Sequence, residues 1–154
     1  MKFDLMFNIL NDEYFKGILP TITIYALDYD FADFMGCYKS PTRTFGEDRT
    51  SITLNTFYPE FMKYGKTKAY EYYFSTLLHE MIHYYNDLQG IEKDMDIESG
   101  EHFEIFYENG EKFNILFMDR EEAYKQDDDA VVIFTETQLD NLIKQYESEV
   151  LKNG

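Results

Sequence analysis

Apolar residues recur along this chain with two different periods, and the period separates predicted helices from predicted strands. In residues 3–16 they recur every three to four positions, and Gly17 with Pro20 would end such a helix. The apolar face consists of Phe3, Met6, Phe7, Leu10 and Tyr14. We therefore expect an amphipathic helix at the start of the chain.

Three segments after this helix have the alternation and the β-branched or aromatic content of strands. They are TITIYAL (21–27), FMGCYKS (34–40) and SITLNT (51–56). The polar segment between the last two contains Pro41 and Gly46, which favour a turn. This pattern predicts a hairpin formed by the second and third strands.

Residues 68–88 contain neither Gly nor Pro, and Gly90 stands where a helix would end. Apolar side chains occupy most sides of this predicted helix, namely Tyr72, Tyr73, Leu77, Leu78, Met81, Ile82 and Tyr85. A helix without a continuous polar face lies inside a domain. We therefore place this helix in the core.

Residues 103–117 fit two different structures. Their aromatic residues follow a helical period, but the segment also alternates around Asn109-Gly110, a pair that favours a hairpin turn. The sequence leaves both possibilities open.

The last part of the chain predicts a strand followed by a closing helix. The strand is AVVIFT (130–135), and the helix covers the residues after it up to about Lys152. Thr135 and Gln138 have the spacing of a capping box, in which each side chain bonds the backbone N–H of the other.

Composition indicates a folded and strongly acidic domain. Apolar residues make up 44% of the 154 residues and aromatic residues 18%, which is too much for a disordered chain. The length suits a single domain covering 1–154. Fourteen Lys and Arg against thirty Asp and Glu give a formal net charge of −16, which disfavours direct nucleic-acid binding and favours basic partners.

The cysteine count and the distribution of apolar residues bear on the compartment. Cys37 is the only cysteine, so an intramolecular disulfide and a cysteine-ligated zinc ribbon are both excluded. Polar residues interrupt the N-terminal segment, which therefore lacks the apolar core of a signal peptide. No apolar run is long enough to span a bilayer. We expect a cytoplasmic protein without a membrane segment.

The segment LLHEMIHYY (77–85) contains His79, Glu80 and His83 in the order H-E-x-x-H. On a helix, residues four apart project from nearly the same face, so two imidazoles can bind one zinc ion at about 2.0–2.1 Å. Glu80 points slightly aside, where its carboxylate can take a proton from a zinc-bound water and later protonate the leaving amine. This spacing predicts a zinc hydrolase.

The alternative is that two ordinary histidines occupy this helix and are satisfied by hydrogen bonds or solvent. The helix, however, is apolar on most sides. Two histidines and a glutamate inside a domain are costly unless something pairs with them. A metal ion supplies that pairing, and we therefore favour the zinc site.

A catalytic zinc takes a third protein ligand and keeps one position open. His102, the third histidine of the chain, is the candidate that we favour. The competing ligands are Glu98, Glu101 and Glu104, since many zinc peptidases use a downstream glutamate.

At these residues the chain resembles the SprT-like zinc metallopeptidases, the family that includes the Spartan proteases of DNA–protein crosslink repair. STLLHEMIHYY (75–85) is close to the active-site helix of the family. SGEHFEIF (99–106) is similar to its His…Phe segment, and Asn114 stands where members often have an asparagine. The upstream helix and three strands match in order, and the resemblance covers about residues 6–115.

The resemblance implies a fold and a set of ligands. The fold is α+β and zincin-like, with a small, mostly antiparallel sheet packed against the buried helix of the H-E-x-x-H motif. The implied metal ligands are His79, His83 and His102. The resemblance also implies that the strand at 51–55 forms the sheet edge along which an extended peptide pairs.

Two features set the chain apart from the family. The C-terminal zinc ribbon of many members is absent, because it needs more than one cysteine. Residues 116–154, the predicted strand and closing helix, lie outside the resemblance.

We therefore expect a Zn²⁺-dependent endopeptidase that hydrolyses peptide bonds in protein substrates, basic ones included, with Glu80 as general base and acid. The alternative is a non-catalytic, zinc-containing module that binds a basic partner protein. An intact Glu80 favours the enzyme, since a structural zinc site has no use for that carboxylate.

Overall fold

The computed structural model describes residues 1–30 and 34–153, and within them it contains six helices and five strands. The helices are α1 (Phe3–Phe15), α2 (Phe57–Phe61), α3 (Lys66–Leu88), α4 (Glu104–Lys112), α5 (Arg120–Lys125) and α6 (Glu136–Asn153). The strands are β1 (Thr23–Leu27), β2 (Gly36–Lys39), β3 (Ser51–Asn55), β4 (Leu116–Phe117) and β5 (Val132–Ile133). This content confirms the α+β class.

The larger sheet has three strands in the order β1-β3-β2, and the smaller one pairs β4 with β5. β2 and β3 are antiparallel, which confirms the predicted hairpin, and β4 and β5 are antiparallel as well. β1 runs parallel to β3, so the larger sheet is mixed and not mostly antiparallel.

The implied role of the strand at 51–55 as a sheet edge is wrong. β3 lies between β1 and β2 and is hydrogen-bonded to both, so its backbone has no free side. Among the described residues, the free edges of this sheet belong to β1 and β2.

Helix α3 passes through the core, as its sequence predicts. It contacts four other helices, α1, α2, α4 and α6, and the strands β2, β3 and β5. Leu77, Leu78 and Met81 have no exposed surface. Burial of a side chain of this size contributes about 1.5–3 kcal/mol, so this helix is a major source of stability. Gly90, in the left-handed conformation with φ of 81°, follows its end.

The segment at 103–117 is mainly helical. α4 occupies Glu104–Lys112, and the short strand β4 follows. Gly110 lies inside the helix and not in a hairpin turn. Glycine is needed there because a side chain would collide with the Phe117 ring, whose nearest atom would lie 2.5 Å from the added Cβ. The glycine allows β4 to fold back closely against α4.

The C-terminal segment closes the fold against α1. The predicted capping box is present, since Thr135 N–H donates to Gln138 at 2.9 Å and Gln138 N–H donates to Thr135 at 3.1 Å. α6 then packs on α1, and the Tyr146 hydroxyl accepts a bond from the Lys2 backbone at 2.8 Å.

The sequence did not predict the short helices α2 and α5. Pro59 lies within the five residues of α2, and a proline there argues against a helix in the sequence. α5 depends on a local cap, in which the Asp119 side chain accepts hydrogen bonds from the backbone N–H groups of Glu121 and Glu122. Across the described residues, no helix combines the length and the apolar character needed to cross a bilayer.

Candidate metal centre

Three imidazole rings meet where the C-terminal half of α3 faces the start of α4. The ring centroids lie 5.1 Å apart for His79 and His83, 4.8 Å for His79 and His102, and 5.1 Å for His83 and His102. One ring nitrogen from each residue lies within 4.8 Å of one from each of the others. The structure therefore brings together the three histidines that the sequence nominates as ligands.

The chain between α3 and α4 turns back across α3 and carries His102 to the other two rings. Met95 and His102 form an isolated antiparallel bridge, and the Phe103 N–H donates to the Asp94 carbonyl at 2.8 Å. Gly100, with φ of 76°, adopts a conformation in this turn that L-residues rarely take. These bonds fix His102 directly before α4.

Phe106 supports all three rings from one side. Its side chain has no exposed surface, and its ring centroid lies 4.9 Å from that of His79, 4.6 Å from that of His83 and 4.5 Å from that of His102. An apolar wall in this position excludes water and restricts the rotation of the imidazoles.

Each of the three rings has an oxygen acceptor at Nδ1. The pairs are His79 with the Ala130 carbonyl at 2.8 Å, His83 with the Asp94 carboxylate at 2.9 Å and His102 with the Asp129 carboxylate at 3.2 Å. Carbonyl and carboxylate oxygens accept hydrogen bonds, so each Nδ1 carries the proton and donates. In the neutral form of each ring, Nε2 therefore keeps a free lone pair.

The distance between two of these free nitrogens fits a bound cation. His83 Nε2 and His102 Nε2 lie 3.2 Å apart. With both lone pairs facing each other, this contact is repulsive unless a metal ion or a shared proton lies beside both atoms. Two nitrogen ligands at about 2.0–2.1 Å from a tetrahedral zinc are about 3.3–3.4 Å apart. The donor set and its spacing thus fit zinc.

Two of these histidines, His79 and His102, have a lowered pKa, which favours the neutral form that binds metal. Burial, followed by the proximity of His83 and His102, lowers the pKa of His79 well below its usual value. Burial and the proximity of His83 lower the pKa of His102 to about 4.

Asp94 is a buried anion behind His83. Burial alone would raise the pKa of its carboxyl, but hydrogen bonds from His83 and Asn86 and the charge of Arg43 lower it to about 2. Asn86 Nδ2 and Arg43 Nη1 donate to it at 2.9 and 3.0 Å. A second bond from Arg43, to the Ile91 carbonyl at 2.6 Å, ties the β2–β3 loop to the segment that follows α3.

Glu80 lies beside the histidines and against β2. Its Oε2 is 3.9 Å from His79 Nε2, and a Cβ placed on Gly36 would lie 3.2 Å from the same oxygen. Its side chain is buried, and no hydrogen bond reaches the carboxylate from any of the residues that the structure describes. Burial raises its pKa to about 7.

The competing glutamate ligands do not join the histidines. Glu98 and Glu101 are exposed, and Glu104 forms an exposed ion pair with Arg120. Within 1–30 and 34–153, the group with metal-binding geometry consists of the three histidines.

Sequence reasoning missed the acceptors of the three Nδ1 atoms. Asp94 lies in the acidic segment after α3, and Asp129 and Ala130 belong to the QDDDA stretch (126–130) outside the family resemblance. Only an excess of acids marks these positions, and that feature is typical of exposed turns.

No protein-family model, no curated protein and no solved structure matches this chain. The resemblance carried by residues 75–85 and 99–106 therefore stays a prediction.

Proposed function

We propose that the chain is a zinc-dependent endopeptidase of the zincin-like, SprT-like kind. The observation that carries this proposal is the approach of His83 Nε2 to His102 Nε2 at 3.2 Å, with Nδ1 of each histidine donating to a fixed acceptor. A metal ion beside both atoms would relieve the repulsion of facing lone pairs, and the donor set fits one. Glu80, which accepts no hydrogen bond from the described residues, stands beside it.

Zn²⁺ bound to His79, His83 and His102 would supply a Lewis acid that polarises a water molecule and the scissile carbonyl. The three imidazoles would hold the ion through Nε2. Asp94, Asp129 and the Ala130 carbonyl keep the rings in that orientation.

Glu80 acts as the proton carrier. Its Oε2 accepts a proton from the attacking water, and the resulting carboxylic acid gives the proton to the leaving amine. Burial raises the pKa of Glu80 to about 7 in the metal-free protein, and a bound Zn²⁺ would lower it, which favours the ionised carboxylate that the first transfer needs.

β2 is the part of the sheet that fits an extended substrate. The Asn55 N–H donates to the Met35 carbonyl at 2.8 Å, so by alternation the backbone groups of Gly36 and Tyr38 face the free edge. Since Gly36 adjoins Glu80, a peptide paired with this edge would pass the proton carrier. A substrate chain paired with the edge of β2 could continue past Glu80 on both sides, as an endopeptidase requires.

Metal content and hydrolysis together test the proposal. We expect about one zinc per wild-type chain purified without chelator, a clear loss in His102→Ala, and no loss in Glu98→Gln, Glu101→Gln or Glu104→Gln. Glu80→Gln should retain zinc and lose at least about a hundredfold in the rate of casein or peptide cleavage. Absence of zinc uptake, or wild-type cleavage by Glu80→Gln, would overturn the proposal.

The second candidate is a non-catalytic, zinc-containing module that binds a basic partner, and the net charge of −16 favours it. Stoichiometric binding of a basic protein without cleavage during long incubation would support this candidate over the enzyme. The same charge disfavours direct binding of nucleic acid.

A further inference from the structure

The turn between α5 and β5, residues 127–130, adopts a strained backbone beside the histidines. Asp127 and Ala130 have φ of 55° and 51°, in the left-handed region. For alanine this conformation costs about 1–2 kcal/mol, and it persists only where surrounding contacts impose it. We call this turn the 127–130 loop.

The loop holds two histidines that come from different elements. Asp129 Oδ2 accepts the His102 backbone N–H at 2.6 Å and lies 3.2 Å from His102 Nδ1. The Ala130 carbonyl accepts from His79 Nδ1 at 2.8 Å. His79 belongs to α3 and His102 precedes α4, so the loop joins the two sides of the metal centre.

Tyr107 of α4 fixes the loop from behind. Its hydroxyl donates to Asp129 Oδ1 at 2.6 Å and accepts the Ala130 N–H at 3.1 Å. The Arg120 guanidinium lies 3.9 Å above the Tyr107 ring and pairs with Glu104. Both carboxylate oxygens of Asp129 are thus engaged, one by His102 and the other by Tyr107.

We propose that the 127–130 loop is a positioning element of the metal centre, in which Asp129 orients His102 and the Ala130 carbonyl orients His79 so that both present Nε2 to the ion. This inference rests on the proposed function, since it concerns the same metal site. It gives a role to the 127–130 loop, which belongs to the segment 116–154 for which the sequence predicted no function.

Asp129 acts on the ion only through His102. Its carboxylate holds the proton of His102 on Nδ1 and fixes the plane of the ring, so the lone pair of Nε2 stays directed at the metal. Without this acceptor the His102 ring can rotate or take the other tautomer. Fixing the ring in the metal-binding orientation then costs free energy when the ion binds. Loss of such a partner typically weakens metal binding by about 10–100-fold.

The test compares Asp129→Ala and Asp129→Asn with the matched control Asp127→Asn. Asp127 is an exposed residue of the same loop, and asparagine tolerates the left-handed backbone conformation found there. Zinc affinity is measured by competition with a chromogenic chelator. The visible absorption of the cobalt-substituted protein reports coordination geometry. Urea unfolding of the metal-free proteins shows whether each variant is folded.

We expect zinc affinity to fall about 10–100-fold in Asp129→Ala and by less in Asp129→Asn, whose amide oxygen still accepts a hydrogen bond. The cobalt spectrum of Asp129→Ala should change, whereas Asp127→Asn should match the wild type in both readouts. A merely structural role would shift urea unfolding and leave the cobalt spectrum unaltered, and that result would overturn the inference.

Tyr107→Phe tests the same loop if Asp129→Ala fails to fold. It removes the hydroxyl that fixes Asp129 and keeps the carboxylate, so zinc affinity should fall by about threefold or more. Unchanged affinity and an unchanged cobalt spectrum in folded Tyr107→Phe would overturn the inference.

The failure of the proposed function and the failure of this inference give different results. If the wild type binds no zinc, both are overturned. If the wild type binds zinc tightly and the variants are unaffected, the inference alone is overturned.

Discussion

Glu80 is a carboxyl group in a helix whose other inward residues are largely apolar. Its side chain is 7% exposed, and burial raises its pKa to about 7. A raised carboxyl pKa means that the folded protein favours the protonated form, whereas a general base must be ionised. The residue proposed for chemistry therefore lowers the stability of the metal-free fold at alkaline pH.

Removing this charge should stabilise the metal-free protein at high pH. The pKa rises from 4.5 to about 7 on folding, so the contribution of Glu80 is fully present below pH 4.5 and is lost as pH rises through 7. Glu80→Gln cannot ionise. In the presence of a chelator, the difference in the free energy of unfolding between Glu80→Gln and the wild type should increase in favour of the variant between pH 5 and pH 8, by up to about 3 kcal/mol.

Urea unfolding at the two pH values measures this difference. Glu71→Gln, an exposed substitution on the same helix, serves as the control. Its free energy of unfolding should differ from that of the wild type by the same amount at pH 5 and at pH 8. If the gap between Glu80→Gln and wild type does not depend on pH, the carboxyl of Glu80 is not perturbed by burial.

Single residues of the site differ in how far the sequence reveals them. His79, Glu80 and His83 are tied by short-range helical spacing, and His102 is the one remaining histidine, so these four could be predicted. Asp129 contacts His102 across 27 residues of chain, and nothing in its local sequence marks that contact. A tertiary contact of this kind depends on the return of the C-terminal segment and has no periodic signal.

β2 is the strand that brings the sheet to Glu80. A Cβ on Gly36 would lie 2.7 Å from Thr76 Cγ2 and 3.2 Å from Glu80. The absence of a side chain therefore sets the distance between the strand and α3. The hairpin itself was predictable from its polar loop, but the close approach at Gly36 was not, because it depends on the packing of two elements.

Gly36→Ala should impair cleavage more than it impairs folding. The added methyl group pushes β2 away from α3, which costs about 1–3 kcal/mol and displaces both the edge strand and Glu80. We expect kcat/KM for a peptide substrate to fall by about tenfold or more, since small displacements of reacting groups are costly.

Two variants sharpen this measurement. Gly65→Ala is the control, because an added Cβ there meets nothing within 4 Å. Thr76→Ser removes the colliding methyl group, so the double variant Gly36→Ala/Thr76→Ser should recover part of the activity. A fully active Gly36→Ala with wild-type stability would mean that this contact does not set the position of β2.

α4 shows how one glycine can mislead sequence analysis. The Asn109-Gly110 pair resembles a hairpin turn, yet Gly110 lies in a helix and gives space to Phe117, while Asn109 Nδ2 donates to Asn86 Oδ1 at 2.6 Å. Both residues serve tertiary packing. Turn propensity is a local quantity and cannot distinguish these two uses of glycine.

The charge of the whole molecule bears on the substrates of the proposed peptidase. The acidic segment that leads into the metal centre carries six acids and one lysine within residues 91–104, and Glu92, Glu98 and Glu101 are exposed. Together with the net charge of −16, this segment places a negative field around the candidate metal centre. Such a field raises the encounter rate of cationic chains.

Basic unfolded proteins should therefore be cut faster than acidic ones of equal length. We expect a ratio of kcat/KM of about tenfold or more near 10 mM salt, falling towards equality near 0.5 M as screening shortens the range of the field. Replacing Glu92, Glu98 and Glu101 by Gln should reduce this ratio. The control, Asp12→Asn/Glu13→Gln/Asp140→Asn, removes three exposed charges from α1 and α6 and should reduce it less. Equal cleavage of both substrates at low salt would show that the field does not select them.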